Sequence, residues 1–276
     1  MTGTMEAQRI LDDVPMTRLQ IAAVVLCVAL NAIDGFDVLA ISFAAPGIAA
    51  EWGISRGALG IVLAMELIGM AAGSVVLGSI ADNLGRRPII LGCLVVMASG
   101  MYLASQATSV NALLATRFVT GVGIGGMLAT TNAMVAEYSN ARHRNFNVVL
   151  MATGYPVGII IGGSLATILL AHFDWRAVFI LGAAMTGVLL PAIWFLMPES
   201  ISYLAQKKRP DALAQINRIL TRMGHAVLEQ LPASEEKSTG WRDLFSPQLA
   251  RTTILLTTAY LAHIDRKSTR LNSSHM

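Results

Sequence analysis

Six apolar runs, at 19–45, 58–81, 88–107, 111–136, 147–171 and 177–197, set the frame for this chain. A bilayer's hydrocarbon core is about 30 Å thick and takes roughly 20 helical residues to cross. Lipid cannot satisfy a bare backbone N–H or C=O, so a spanning segment is either a helix or part of a closed barrel. The runs show no two-residue alternation, so they predict six transmembrane helices and an all-α membrane protein. Charged side chains make up 13% of the sequence, about half the ~25% of a soluble domain. Mean hydropathy is +0.60. The basic residues sit in short clusters between apolar blocks, which excludes a nucleic-acid footprint.

Lysine and arginine placement orients the bundle. With the N-terminus in the cytoplasm, the inner segments carry Arg9, Arg18, Arg86, Arg87, Arg142, Arg144 and the basic residues after Pro198. The outer loops carry only Arg56 and Arg176. The expected layout is a cytoplasmic tail over 1–18, a six-helix bundle over 19–197 and a cytoplasmic linker over 198–251. Within the linker, Leu213, Ile216, Ile219 and Leu220 recur at helical spacing and predict an amphipathic helix around Asp211–Met223. Residues 252–264 read as the start of a seventh membrane helix, too short to span, and the polar residues 265–276 as a tail foreign to the reading frame.

The first run poses the functional question. Asp34 and Asp37 are its only charged side chains, three residues apart in "DGFD" and on one side of a helix. An ionisable group at mid-membrane costs at least about 2.5–3.5 kcal/mol, so it normally faces a partner or a cavity. Either the pair fixes helix packing or it carries protons and substrate. Glu66 is a third intramembrane acid, able to relay protons or to pair with an arginine. Arg117, about six residues into the fourth run, is the natural complement. A buried guanidinium can hold a carboxylate bidentately. It could instead pair with Asp34 or Asp37, or snorkel to the outer interface.

Several stretches resemble motifs of the major facilitator superfamily. "GSIADNLGRRP" (Gly78 to Pro88) resembles its signature loop G-x-L-A-D-R-x-G-R-R, with Asn83 where the family usually has Arg. "RFVTGVGIGG" (Arg117 to Gly126) resembles the fourth-helix motif, and "GYPVGIIIGG" (Gly154 to Gly163) the fifth-helix motif. "PES" (Pro198 to Ser200) with Tyr203 and Leu204 resembles the exit from helix six. The resemblance implies the N-terminal half of a two-bundle carrier. It also implies helix packing at Gly78, Gly85, Gly121, Gly125, Gly154, Gly158 and Gly162, and a cytoplasmic gate built from Asp82, Arg86, Arg87, Glu137 and Arg142.

"DGFD" itself resembles the D-G-[FYW]-D motif of the aromatic acid:proton symporters, a family within the superfamily, and "AP" (Ala45, Pro46) fits that family's first-helix end. This implies import of an aromatic carboxylate with protons across a bacterial inner membrane. Asp34, Asp37 and Glu66 would couple protons, and Asp34, Asp37 and Arg117 would bind substrate. The alternatives are a carrier for a sugar, a nicotinate-like acid or a drug, or a non-transporting fragment. His143, His172, His225 and His263 lack metal-ligand spacing, and neither a phosphate loop nor a nucleophile–base constellation occurs. No cofactor is expected, nor an enzyme, and the oligomeric state is left open.

Overall fold

A computed structural model of the chain describes residues 11–12, 14–207 and 211–225, with 227–228, 230–231, 246, 249–255 and 258 beyond them. The side chains of Arg56 and Lys207 lie outside this description. Six long helices follow one another: α1 (Arg18–Trp52), α2 (Arg56–Leu84), α3 (Arg86–Ser105), α4 (Val110–Tyr138), α5 (Arg144–Leu170) and α6 (Arg176–Leu196). Two short ones come next, α7 (Ile201–Lys207) and α8 (Ala212–Met223). All six long helices are long and apolar enough to cross a membrane.

Four of the starts have a local cause. At α1 the Gln20 amide oxygen accepts from the Thr17 N–H at 2.9 Å, and its NH2 reaches the Tyr138 carbonyl at 3.2 Å. Ser55 and Ser109 cap α2 and α4 by accepting the N–H of Ala58 and Ala112, each at 3.3 Å. Gly85 ends α2 and begins α3 at φ 106°, in a region that suits glycine.

The first helix is longer than the expected 19–45. It runs through Pro46 to Trp52 and stops at left-handed Gly53. Proline removes one intrahelical N–H, and tertiary packing carries the helix past it. Ile48 is fully buried, and Gly47 lies so close to Trp175 that a β-carbon would meet its Cβ at 2.9 Å. The segment after Pro198 also holds α7, which hydropathy gave no reason to expect. The expected amphipathic helix is present as α8, whose Ile216, Ile219 and Leu220 join the apolar core.

Helix pairing has a two-fold logic. α2 packs on α4 as α5 packs on α1, α3 packs on α4 as α6 packs on α1, and α3 meets α6. Exchanging each of the first three helices with the one three later leaves that pattern unchanged. The closest seams are lined by glycine. Gly69 and Gly73 of α2 face the carbonyls of Phe118 and Val122, and Gly121 and Gly125 of α4 face those of Glu66 and Met70. Gly154 and Gly158 of α5 face the carbonyls of Val28 and Ala32 of α1 in the same way, and Gly162 faces the Phe36 side chain. Small residues let backbones touch where lipid supplies no hydrophobic drive to associate.

Two apolar cores fill the bundle. One contains Leu30, Ile90, Met97, Met127 and Tyr138, and the other Ile41, Ile48, Met101, Leu113 and Phe179. Outward positions are apolar as well, with Val188 and Phe195 both strongly exposed. The chain divides into two compact units, Met1–Ser234 and Glu235–Met276. In the second, 250–255 form helix, with the Ala250 N–H bonded to the Ser246 carbonyl at 2.8 Å. Of the rest of the expected seventh helix only residue 258 is described, and the 265–276 tail falls outside the described set.

Candidate transport site

The intramembrane charges meet between the two apolar cores. Asp34 and Asp37 from α1, Glu66 from α2 and Arg117 from α4 are each at most 1% exposed. Arg117 pairs with Glu66. The same guanidinium donates to the Asp37 backbone carbonyl at 2.6 Å, lies 3.0 Å from the Met101 sulfur and sits 5.7 Å from the centre of the Phe179 ring. Arg117 therefore does not snorkel, and it takes the carboxylate of neither aspartate.

The two aspartates are left without donors. Among the described residues, none of the four carboxylate oxygens of Asp34 and Asp37 has a hydrogen-bond partner. Thr186 of α6 stands beside Asp37, but its hydroxyl donates its one proton to the Gly182 carbonyl at 2.8 Å. Gly182 makes room for Asp37: a β-carbon there would stand 3.0 Å from Asp37 Oδ1 and 2.2 Å from the Met101 methyl carbon. Gly35, between the aspartates, packs its α-carbon side on the Tyr155 carbonyl of α5. Its spare room is filled by a neighbouring helix.

A second polar network closes the end that carries the α2–α3 and α4–α5 connections. Arg86 pairs with Glu137 at 2.7 Å, and Glu137 also accepts from the Ser200 hydroxyl and the Ser202 N–H, both at 2.7 Å. Glu199 Oε1 accepts the backbone N–H groups of Arg86 (2.9 Å), Arg87 (3.2 Å) and Ser200 (2.8 Å), so it caps the start of α3. Burial pushes the Glu199 carboxyl above its usual range, against the pull of those three N–H donors. The Tyr138 hydroxyl donates to the Glu199 carbonyl, and the Arg87 guanidinium to that of Trp194.

This network gathers Arg86, Arg87, Glu137 and Gly85 and leaves out two expected members. Asp82 and Arg142 are exposed and make no ion pair with a described residue. The neighbouring Arg144 pairs with Asp12 and donates to the Ala136 carbonyl at 2.9 Å, outside this network. Gly78 has ordinary clearance, with Ala129 Cβ at 3.4 Å, so it makes no close seam. Sequence reasoning missed Glu199 and Ser200 as members, although both lie in the "PES" stretch. It also missed Gly69 and Gly73, whose four-residue spacing was the available signal.

At the opposite end, Glu51 of α1 holds Arg176 of α6 bidentately at 2.7 and 2.8 Å and accepts the Trp175 ring N–H at 2.7 Å. No group of three or more histidine, cysteine or acidic residues placed to hold a metal occurs among the described residues.

Comparison with known proteins places this architecture. The sequence model described as Major Facilitator Superfamily matches residues 27–265. The 4-hydroxybenzoate transporter PcaK of Acinetobacter baylyi is 32% identical over 266 residues, 94% of this chain and 58% of that protein. The gallate transporter of Pseudomonas putida is 32% identical over 218 residues, 78% of this chain and 47% of that protein. The chain spans about half the length of the curated relatives it matches. The solved proton:xylose symporter XylE of E. coli, bound to 6-bromo-6-deoxy-D-glucose, shares the fold with a TM-score of 0.64 at 18% identity, over 73% of this chain and 50% of that one. With six membrane-length helices in this fold, the protein is a multi-pass membrane protein. The chain belongs to the Major Facilitator Superfamily.

Proposed function

We propose that this chain is the N-terminal half of a secondary carrier that imports an aromatic carboxylic acid with protons across a bacterial inner membrane. The relatives named for 4-hydroxybenzoate and gallate support the substrate class. The observation that carries the mechanism is the charge balance of the buried cluster. The site holds three buried carboxyl groups and one guanidinium, that guanidinium is taken by Glu66, and the carboxylate oxygens of Asp34 and Asp37 have no described hydrogen-bond partner. A buried, unpaired carboxylate is costly, and a proton removes the cost. Asp34 and Asp37 are accordingly the proton sites, and Arg117 is the cation that receives the substrate carboxylate.

The N-terminus lies in the cytoplasm, which puts the Arg86–Glu137–Glu199 network at the cytoplasmic end. There it ties α3 and α4 to the exit of α6 and closes the inner side while the carrier faces outward. Neutralising the site with proton and substrate lets the two halves rock, and the paired three-helix pattern supplies the two-fold geometry. The test is proton-driven uptake of labelled 4-hydroxybenzoate by the full-length carrier. Asp34→Asn and Asp37→Asn should each abolish accumulation against a gradient. Full accumulation in both would sink the reading.

A further inference from the structure

Arg117 is already occupied, and by an acid from its own chain. Its guanidinium is bound by Glu66 and by the Asp37 carbonyl and is flanked by Met101 and Phe179. We propose that Glu66 is the internal stand-in for the substrate carboxylate at Arg117, which the substrate displaces on binding. The inference rests on the reading that the cargo is a carboxylate, and it assigns Glu66 a positioning role distinct from proton carriage.

Three observations carry it. First, the pair is only half satisfied: Glu66 Oε2 and Arg117 Nε are buried and have no described partner. Buried ion pairs that serve packing alone normally have their remaining donors and acceptors filled. A guanidinium offers five N–H groups in a fork that suits a carboxylate held by two, so this one has donors to spare.

Second, Arg117 keeps one carboxylate partner throughout, and the proton that enters with the substrate offsets the negative charge the substrate adds. One carboxylate leaves Arg117 and another arrives, while the Asp37 carbonyl, Met101 sulfur and Phe179 ring keep the guanidinium seated. These partners come from α1, α3 and α6, so the seat does not depend on α2. Third, Glu66 sits on a glycine-lined seam between α2 and α4. Gly121, one turn beyond Arg117, rests on the Glu66 carbonyl, and Gly69 rests on that of Phe118. Backbone-to-backbone contact of this kind lets α2 shift along α4 without unlocking side chains.

The experiment measures half-saturation and maximal rate for labelled 4-hydroxybenzoate counterflow in vesicles holding the full-length carrier. Glu66→Gln removes the competitor, so the half-saturation concentration should fall about tenfold, as for a close charge pair. Maximal rate should fall with it, because Arg117 releases cargo less readily. The neutral 4-hydroxybenzamide, as an inhibitor, should bind wild type and variant alike. An unchanged or raised half-saturation, or an equal gain for the amide, overturns the proposal. If Glu66→Gln does not reach the membrane, Glu66→Asp, whose shorter arm loosens the pair, should lower half-saturation by a smaller factor, and a value at or above wild type overturns it. Failure of wild type to exchange any aromatic acid strikes the substrate reading. Exchange by wild type without the Glu66 effect strikes this inference alone.

Discussion

At Gly158 a β-carbon would stand 1.7 Å from the Ala32 carbonyl oxygen, closer than any real contact allows. The obstacle is backbone, so nothing can swing aside, and α5 must back away from α1. At Gly78 the nearest atom is Ala129 Cβ at 3.4 Å, which is ordinary contact. The two glycines look alike in the sequence, and both belong to motifs. Gly158→Leu should destabilise the bundle by about 1–3 kcal/mol, the scale of core overpacking, whereas Gly78→Ala should stay within about 0.5 kcal/mol. Thermal unfolding of the detergent-solubilised chain, followed by circular dichroism, separates them. Equal midpoints would show that the α1–α5 seam is looser than its geometry.

At the scale of the element, the six spans were legible because hydrophobic length is a local property that the bilayer reads directly. What each helix faces was less legible, since a helix apolar all round carries no stripe to mark its buried side. The α5 glycines gave their seam away by four-residue spacing. Glu66 did not reveal its partner, because three acids compete for one arginine and only helix placement decides which wins. The α1 extension past Pro46 was hidden for a similar reason: Trp175, far along the chain, holds it. Arg142 and Arg144 are two residues apart and equally basic, yet only Arg144 reaches Asp12.

Glu199 shows an element end depending on a distant residue, and its protonation carries a sign. Burial raises its folded pKa above the ordinary 4.5, so folding favours the protonated acid. The group's contribution is present at low pH and is lost as pH rises from about 4.5 through the folded value. Glu199→Gln cannot titrate, so its stability relative to wild type should improve as pH rises across that window. Chemical denaturation of both proteins at a series of pH values checks this. A constant difference would mean that the three N–H donors at the start of α3 fully offset burial.

For the whole molecule, the question is whether the six-helix bundle moves as one body or slides internally. Its pairing is unchanged when the first three helices are exchanged for the last three, and its tightest seams, α2 on α4 and α1 on α5, are backbone contacts. The proposed rocking of this bundle against a second one predicts that a covalent tie within the bundle costs little, and Gly78 with Ala129 offers the place. Their β-carbons would be 3.4 Å apart, close to the 3.5–4.5 Å range of disulfides. Cys27 and Cys93 are buried and should be spared by an aqueous oxidant. In the full-length carrier, Gly78→Cys with Ala129→Cys should oxidise readily and keep about half or more of the uptake of the reduced form. This tie lies well toward the Arg86 end of α2, more than two turns from Glu66, so it leaves room for the local shift that frees Arg117. A reversible loss of uptake on oxidation, restored by reductant, would mean instead that α2 slides along α4 over its whole length during transport, and would replace rigid rocking with shear.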